Sequence, residues 1–397
     1  MERKQHFPHQ LFICFNRKNP KASKPNSNFM NPLYCFSKSL IRVYLMAMLS
    51  LSFIGCVNLG SKTLKNERSN YNLSVQRTND EQLMLNLVRL KYRDTPFFME
   101  VSSVASQFIL STGVNAFGNP LNDSTKGLFG LGGNVEMIEK PTVTYSPLQG
   151  DKFIQRVLSP IPLKTIVLLF HSGWSIERIF RLSFQAMNHL KNAPGASGPT
   201  PSIAPGYMEF TSAVKYLRKL QVQSAINLSY IKENGVPKLL LHINETYKNS
   251  KEAKQFAIAL NLEPGKTRYV FAFSPVLDKT DQIHVVSRSL LGVMFYLSQA
   301  VEVPREDVLQ GKVTQTKTHD GKIFDWKKVT GDLLKIRSLS VKPEAYSKST
   351  YYRGTWFYID DSDLSSKSTF SLLAQIFSLQ AGNIQDNTPL LTLPIGQ

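Results

Sequence analysis

Cys14, Cys35 and Cys56 are the three cysteines of this 397-residue chain, and no thiol follows position 56. Cys56 stands directly behind VYLMAMLSLSFIG (43–55), a run of 13 residues without a charge, with Lys38 and Arg42 ahead of it. The deprotonated thiol is the side chain that attacks soft electrophiles and forms thioethers. Its place at the end of a greasy leader points to covalent attachment of something at that position. The long remainder of the chain holds no disulfide and no thiolate metal site, so its stability has to come from an apolar core.

Other chemistry-bearing residues are scattered. His171, His189, His242, His284 and His319 follow Cys56, and none lies three to five residues from another, so no zinc-type pair is present in the sequence. Ser212-Ala-Val-Lys215 matches the Ser-x-x-Lys pattern of penicillin-recognising enzymes, but neither Ser-Asp-Asn nor Lys-Thr-Gly accompanies it. GLFGLGG (127–133) lacks the Lys-Ser/Thr of a phosphate cradle and falls where a strand is expected rather than before a helix. Asp361, Asp363 and Ser365 have the first spacings of a calcium loop without its turn glycine or closing glutamate, which leaves helix capping as their role. No catalytic residue, cofactor site or metal site is expected.

The apolar run is too short to cross a bilayer as a helix, which takes about 20 residues, and it fits the core of a signal peptide behind a basic leader. Ile54-Gly55-Cys56 resembles a bacterial lipobox. In such a box a signal peptidase cuts before the cysteine, the sulfur receives a diacylglycerol, and the freed amine takes a further fatty chain of the palmitate type. Phe53 stands where these boxes usually carry Leu. Met30 to Gly55 makes a signal of ordinary length, and Met30 is the expected start. Val57 is not the aspartate that holds many such proteins at the inner membrane, so the resemblance implies an outer-membrane address facing the periplasm.

The elements behind this anchor read as α+β, with amphipathic helices packed on antiparallel strands. Residues 56–76 read as a lipidated, aperiodic tether. Thr78-Asn-Asp-Glu81 reads as a capping box, and Leu83, Leu87 and Leu90 fall at i, i+4 and i+7 of a helix that ends before Pro96, with Arg89, Lys91 and Arg93 on its basic face. Val104 to Ala116 and Phe129 to Tyr145 alternate with period two, which predicts a long Gly-rich β-hairpin near 104–145. Two readings of that pair stay open. It is a twisted hairpin on a soluble core, or one subunit's share of an oligomeric barrel, with Glu136, Glu139 and Lys140 awkward for a lipid-facing surface.

Residues 77–191 thus hold a helix, the hairpin and a helical segment in which Ile176, Ile179, Phe180, Phe184 and Met187 share a face after a staple around Ser175. NAPGASGPTPSIAPG (192–206) is a loop and the candidate boundary before a basic α+β region, 207–397. Within that region, helices are expected at 208–222, 251–260, 289–300 and after Asp363. Strands are expected at 226–231, 238–243, 268–273, 283–286, 332–337, 346–353 and 355–359. No βαβ rhythm and no internal repeat appears.

Charge is the remaining signal. The chain carries 47 Lys and Arg against 29 Asp and Glu, a net +18. From Lys312 to Arg353 ten cations meet four acids, with Trp326 and Trp356 in or just beyond the stretch. In the cytosol this mix would suggest nucleic acid. For an exported chain the expected partners are instead anionic lipid headgroups or cell-wall polymers, and no nucleic acid. The candidate polyanion-binding residues are Lys215, Arg218 and Lys219 together with Lys322, Lys327, Lys328, Lys335 and Arg337.

Several stretches, EQLMLNLVRLKYRDTPFFMEVSS (81–103), YSPLQGDKF (145–153), HSGWSIERIFRL (171–182), NAPGASGPTP (192–201), RSLLGVMFYLSQAVEVP (288–304) and YYRGTWFYIDDSDLSSKSTFSLLAQIFSLQAG (351–382), resemble a family of bacterial lipoproteins of unknown function. The resemblance spans nearly the whole chain after Cys56, implies an exported, lipid-anchored protein and brings no catalytic residues. The expected function is a non-enzymatic structural, assembly or binding component of the envelope, held to the membrane at Cys56. The alternative is a subunit of an oligomeric outer-membrane pore or export assembly.

Overall fold

The computed structural model describes residues 59–118, 129–148, 150–199, 201–273 and 282–381. The chain divides into two units, one made of 1–74 with 101–146 and the other of 75–100 with 147–397. Cys56, the uncharged run 43–55, residues 119–128 and everything after Ala381 lie outside the described residues.

The first helix, α1, runs over Leu59–Lys91. It corrects two expectations, since the tether is helical from Leu59 and the helix does not begin at a capping box at Thr78. Residues 61–91 contain neither Gly nor Pro. Once the turns from Leu83 to Leu90 are held by packing, adding residues N-terminal to them costs little, because nucleation rather than propagation is the expensive step.

In the smaller unit, strands β1 (Met99–Gly118) and β2 (Phe129–Pro147) neighbour each other in a two-stranded sheet. The Gly/Asn/Pro/Asp segment expected to turn between them falls in 119–128, outside the described residues.

The larger unit carries the α+β core. Three helices come first, α2 (Asp151–Leu158), α3 (Leu163–His171) and α4 (Ile176–Ser183), followed by the short strands β3 (Phe184–Met187) and β4 (Leu190–Lys191). The expected helix through Met187 is corrected here. Phe184 and Met187 belong to a strand, because Phe184 to Met187 pairs with the later strand 282–287 and tertiary pairing overrides helical spacing. Helix α5 (Met208–Val222), strands β5 (Ile226–Glu233) and β6 (Val236–Ile243), helix α6 (Lys251–Ala259) and strands β7 (Arg268–Ala272) and β8 (Gln282–Ser287) follow.

The resulting six-stranded sheet has the order β4-β3-β8-β7-β6-β5. Every pair in it is antiparallel except β7 with β8, which run parallel. Asn234 and Gly235 both have positive φ, 51° and 77°, the two-residue turn that suits a tight hairpin between β5 and β6. The period-two pattern places Leu228, Leu241 and Tyr269 in one cross-strand row and Leu239, Phe271 and Ile283 in another, all buried. Phe180 and Phe184 pack on Phe271 with ring centroids 5.5 and 6.4 Å away, so α4 and β3 close on the same face.

Helix α7 (Leu290–Ser298) starts at Ser289, whose Oγ accepts from the Gly292 amide at 3.0 Å. After the short helices α8 (Arg305–Leu309) and α9 (Lys327–Thr330), a second sheet forms from β9 (Arg337–Leu339), β10 (Lys348–Tyr352) and β11 (Thr355–Ile359) in the order β10-β11-β9. The strand expected at 332–337 is corrected to a turn leading into β9, since Leu333 and Leu334 both donate back to the Thr330 carbonyl. Helix α10 (Leu364–Ala381) is capped by Asp363, whose carboxylate accepts from the Ser366 amide at 3.0 Å. The Pro/Gly-rich loop at 192–206 lies inside the larger unit, with Asn192, Ala193 and Ala196 buried.

Candidate functional site

The larger unit holds α1 from Val75 on, and the last turn of the helix, with Tyr92 just behind it, is buried there at Val88, Leu90 and Tyr92. Arg93 takes a left-handed φ of 64° and Asp94 donates its amide to the Arg89 carbonyl at 2.9 Å, which ends the helix abruptly. Tyr92 Oη donates to Asp307 Oδ2 at 2.6 Å and Lys312 Nζ reaches the other oxygen of Asp307 at 2.7 Å. Tyr352 Oη and Arg353 Nη2 both donate to Asp94 Oδ2, at 2.6 and 3.0 Å, and the Arg353 guanidinium lies 4.9 Å from the Tyr92 ring centre. Burial, followed by the bond to Asp307, raises the Tyr92 hydroxyl well above its ordinary value. Hydrogen bonds from Lys312 and Tyr92 hold the Asp307 carboxyl below its own. These contacts lock the end of α1 against α8 and the β10–β11 turn.

That lock places Lys91 at the wall of a cleft of about 170 Å³, lined also by Gln299, Glu302, Asp325, Trp326, Lys327 and Lys335, with Val301, Val303 and Leu334 among its apolar surfaces. Lys91 Nζ donates to Gln299 Oε1 at 3.1 Å and pairs with no carboxylate among the described residues. Gln299 is oriented by its own amide nitrogen, which reaches the Phe295 carbonyl at 3.3 Å. Burial alone pushes the Lys91 ammonium down to about 8. Its neighbour Lys327 is held differently. Its ammonium lies 2.8 Å from Glu302 Oε1, and that bond raises it above its ordinary value.

The basic face expected on α1 is therefore corrected: Arg93 is exposed, Arg89 is half-buried, and Lys91 is turned into the cleft. The helix explains why. Met84, Val88 and Lys91 stand at i, i+4 and i+7, so Lys91 continues a stripe whose other members are fully buried. That spacing is the sequence signal for Lys91, and reading Leu83, Leu87 and Leu90 as the whole apolar face conceals it.

Of the eight candidate polyanion-binding residues, the structure brings Lys327 and Lys335 to the cleft and scatters the rest. Lys215 and Lys219 are exposed on α5, with Lys219 4.0 Å from Glu252, while Arg218 donates to Gln221 Oε1 at 2.7 Å. Lys322 pairs with Asp320 at 2.9 Å and Arg337 with Asp360 at 3.4 Å, and Lys328 is exposed on α9. Cys56 lies outside the described residues.

Two buried arginines that sequence reasoning missed organise the scaffold. Arg288 is fully buried, donates to the carbonyls of Arg181 and Phe184 at 2.8 and 2.7 Å and to the Asn192 carbonyl, and bonds Ser197 Oγ at 2.9 Å. Its guanidinium lies 4.2 Å from the Tyr296 ring centre, and burial pushes it down to about 10. Arg181 makes a two-pronged pair with Asp332 at 2.7 and 2.8 Å. Burial works to lower the Arg181 guanidinium, and the Asp332 bonds overcome it and raise it. Both arginines hold backbone in place and neither lines the cleft. Among the described residues no three His, Cys, Asp or Glu side chains converge to hold a metal ion.

The β9–β11 sheet presents a second surface. Leu339, Trp356 and Tyr351 form one cross-strand row on its outer face, with Leu339 and Tyr351 exposed. The Lys342 ammonium stands 5.4 Å from the Trp356 ring centre and 5.9 Å from that of Tyr346.

No family model, no curated protein and no solved structure matches this chain.

Proposed function

We propose that this protein is a lipid-anchored lipoprotein of the bacterial envelope, held by fatty chains at Cys56 to the inner face of the outer membrane, and that it serves there as a non-enzymatic structural, assembly or binding component. The observation that carries the reading is the uncharged run 43–55 ending in Gly55-Cys56, behind Lys38 and Arg42, in a chain with no later cysteine. Buried acyl chains contribute about 0.8 kcal/mol per methylene, so two or three chains on one residue make a lasting anchor. The outer face of the β9–β11 sheet supports the same reading. Trp, Tyr and Lys side chains with apolar bodies and polar tips suit the zone between acyl chains and headgroups. The test is mass spectrometry of the native protein's mature N-terminus after membrane fractionation. A triacylated Cys56 at the N-terminus is expected, and residues retained from before position 56 with a free thiol would refute the anchor.

The long strands favour a second reading, a subunit of an oligomeric outer-membrane pore or export assembly. β1 has 20 residues, or about 66 Å at roughly 3.3 Å per residue, against a hydrocarbon core about 30 Å thick. A two-stranded sheet also leaves both outer ladders without backbone partners among the described residues, which invites pairing with further copies. Native mass in detergent decides this. A multimer that collapses to monomer when 110–136 are deleted supports the pore, and an unchanged mass removes it.

A further inference from the structure

We propose that the cleft at the end of α1 binds a small, singly charged carboxylate whose oxygens pair with Lys91 and whose apolar body packs against Val301, Val303, Leu334 and the Trp326 ring. This goes beyond the envelope reading and does not depend on it.

Three observations converge on that ligand. First, Lys91 has a neutral amide, Gln299 Oε1 at 3.1 Å, as its partner and no carboxylate among the described residues, although it is the desolvated cation of the cleft. A desolvated ammonium is costly unless it meets an anion. Second, the other charges facing the cleft are already engaged or solvated. Glu302 pairs with Lys327 at 2.8 Å, Asp325 Oδ1 accepts from the Lys327 amide at 2.9 Å, and Lys335 is exposed. The charge left over is a single positive one. Third, the volume of about 170 Å³ is below the usual range for drug-sized ligands and several of its walls are apolar. A doubly charged phosphate would leave one negative charge uncompensated against those walls, whereas a monocarboxylate neutralises Lys91 and buries its own carbon body. The Trp326 indole N–H is committed to Thr316 Oγ1 at 2.9 Å, so that ring offers the cleft its carbon surface.

The Lys91 ammonium gives the proposal a pH signature. Burial holds it at about 8 without ligand, and only its charged form pairs with a carboxylate. Affinity should therefore fall as pH rises above that value, by about a hundredfold between pH 7 and pH 10. Arginine at the same position stays charged throughout that range.

Calorimetric titration of the full chain in detergent with propanoate and, separately, with inorganic phosphate provides the test. Saturable propanoate binding is expected at pH 7, weakened about a hundredfold at pH 10. It should be absent in Lys91→Met and equal at the two pH values in Lys91→Arg. Should Lys91→Met fail to fold, the pH dependence of the wild type against Lys91→Arg decides. The proposal is overturned by propanoate binding that survives Lys91→Met, by wild-type affinity independent of pH, by no saturable binding, or by tighter binding of phosphate than of propanoate. The state of the N-terminus does not enter this readout, so its failure and the failure of the anchor are distinguishable.

Discussion

Replacing Lys91 by Met should stabilise the folded chain at neutral pH, and the gain should vanish in alkali. Lys91 Nζ has one amide partner and a value near 8 in place of 10.5, a difference of about 2.5. At about 1.4 kcal/mol for each tenfold change in proton affinity, the folded state disfavours the charged form by roughly 3 kcal/mol. Met fills the space of the stem without the charge, at the cost of the bond to Gln299, worth about 1 kcal/mol. A net gain of about 1–3 kcal/mol is expected at pH 7. Because the folded value is depressed, the unfolded chain holds more protons than the folded one between about pH 8 and pH 10.5. Wild-type stability therefore rises with pH across that window, while Lys91→Met has no such term. Urea unfolding of both proteins at pH 7 and pH 10.8, with equal m-values, measures the difference and cancels alkaline effects common to the two. A variant less stable than wild type at pH 7, or an advantage that persists undiminished at pH 10.8, would refute the reasoning.

Arg288→Met should cost more than about 4 kcal/mol in urea unfolding, since the carbonyls of Arg181, Phe184 and Asn192 lose their donor in the core, at about 1–3 kcal/mol each. Arg288→Lys should not rescue it, because one ammonium cannot reproduce the planar fork. Asp332→Asn should cost about 1–3 kcal/mol above pH 4, because it leaves Arg181 buried without its carboxylate while Asp332 itself is 53% exposed. Burial tends to raise the Asp332 carboxyl, but its bonds to Arg181 lower it overall, so the gap between wild type and variant should close as pH falls through the wild type's folded value. Trp356→Ser with Tyr351→Ser should weaken quenching of protein fluorescence by brominated anionic lipids in reconstituted vesicles. Unchanged quenching would remove the β9–β11 face from the membrane surface.

Much of the larger unit was legible because its signals are local. Helix α5, the β5–β6 hairpin with Asn234-Gly235, and the Asp363 cap of α10 each rest on residues a few positions apart, and the structure places all three as expected. The corrections share a cause of longer range. Phe184 to Met187 has helical spacing yet pairs with β8, about 100 residues away, and the tether becomes helix because packing at Leu83 to Leu90 seeds it. Leu333 and Leu334, apolar enough for a strand, are held in a turn by the Thr330 carbonyl, and Ile336 makes an isolated bridge to Val301.

The candidate site divides in the same way. The uncharged run 43–55, Cys56 as the last cysteine and the excess of positive charge are properties of the chain itself, because they are read along the sequence without folding. Which cations remain unpaired is a different kind of property. Lys91 and Lys327 look alike in sequence, yet one meets Gln299 and the other Glu302 only when α1, the end of α7 and α9 converge. Desolvation and ion pairing depend on distances of a few ångströms between segments that lie apart in the sequence, about 200 residues for Lys91 and Gln299, and the packed tertiary structure alone determines those distances.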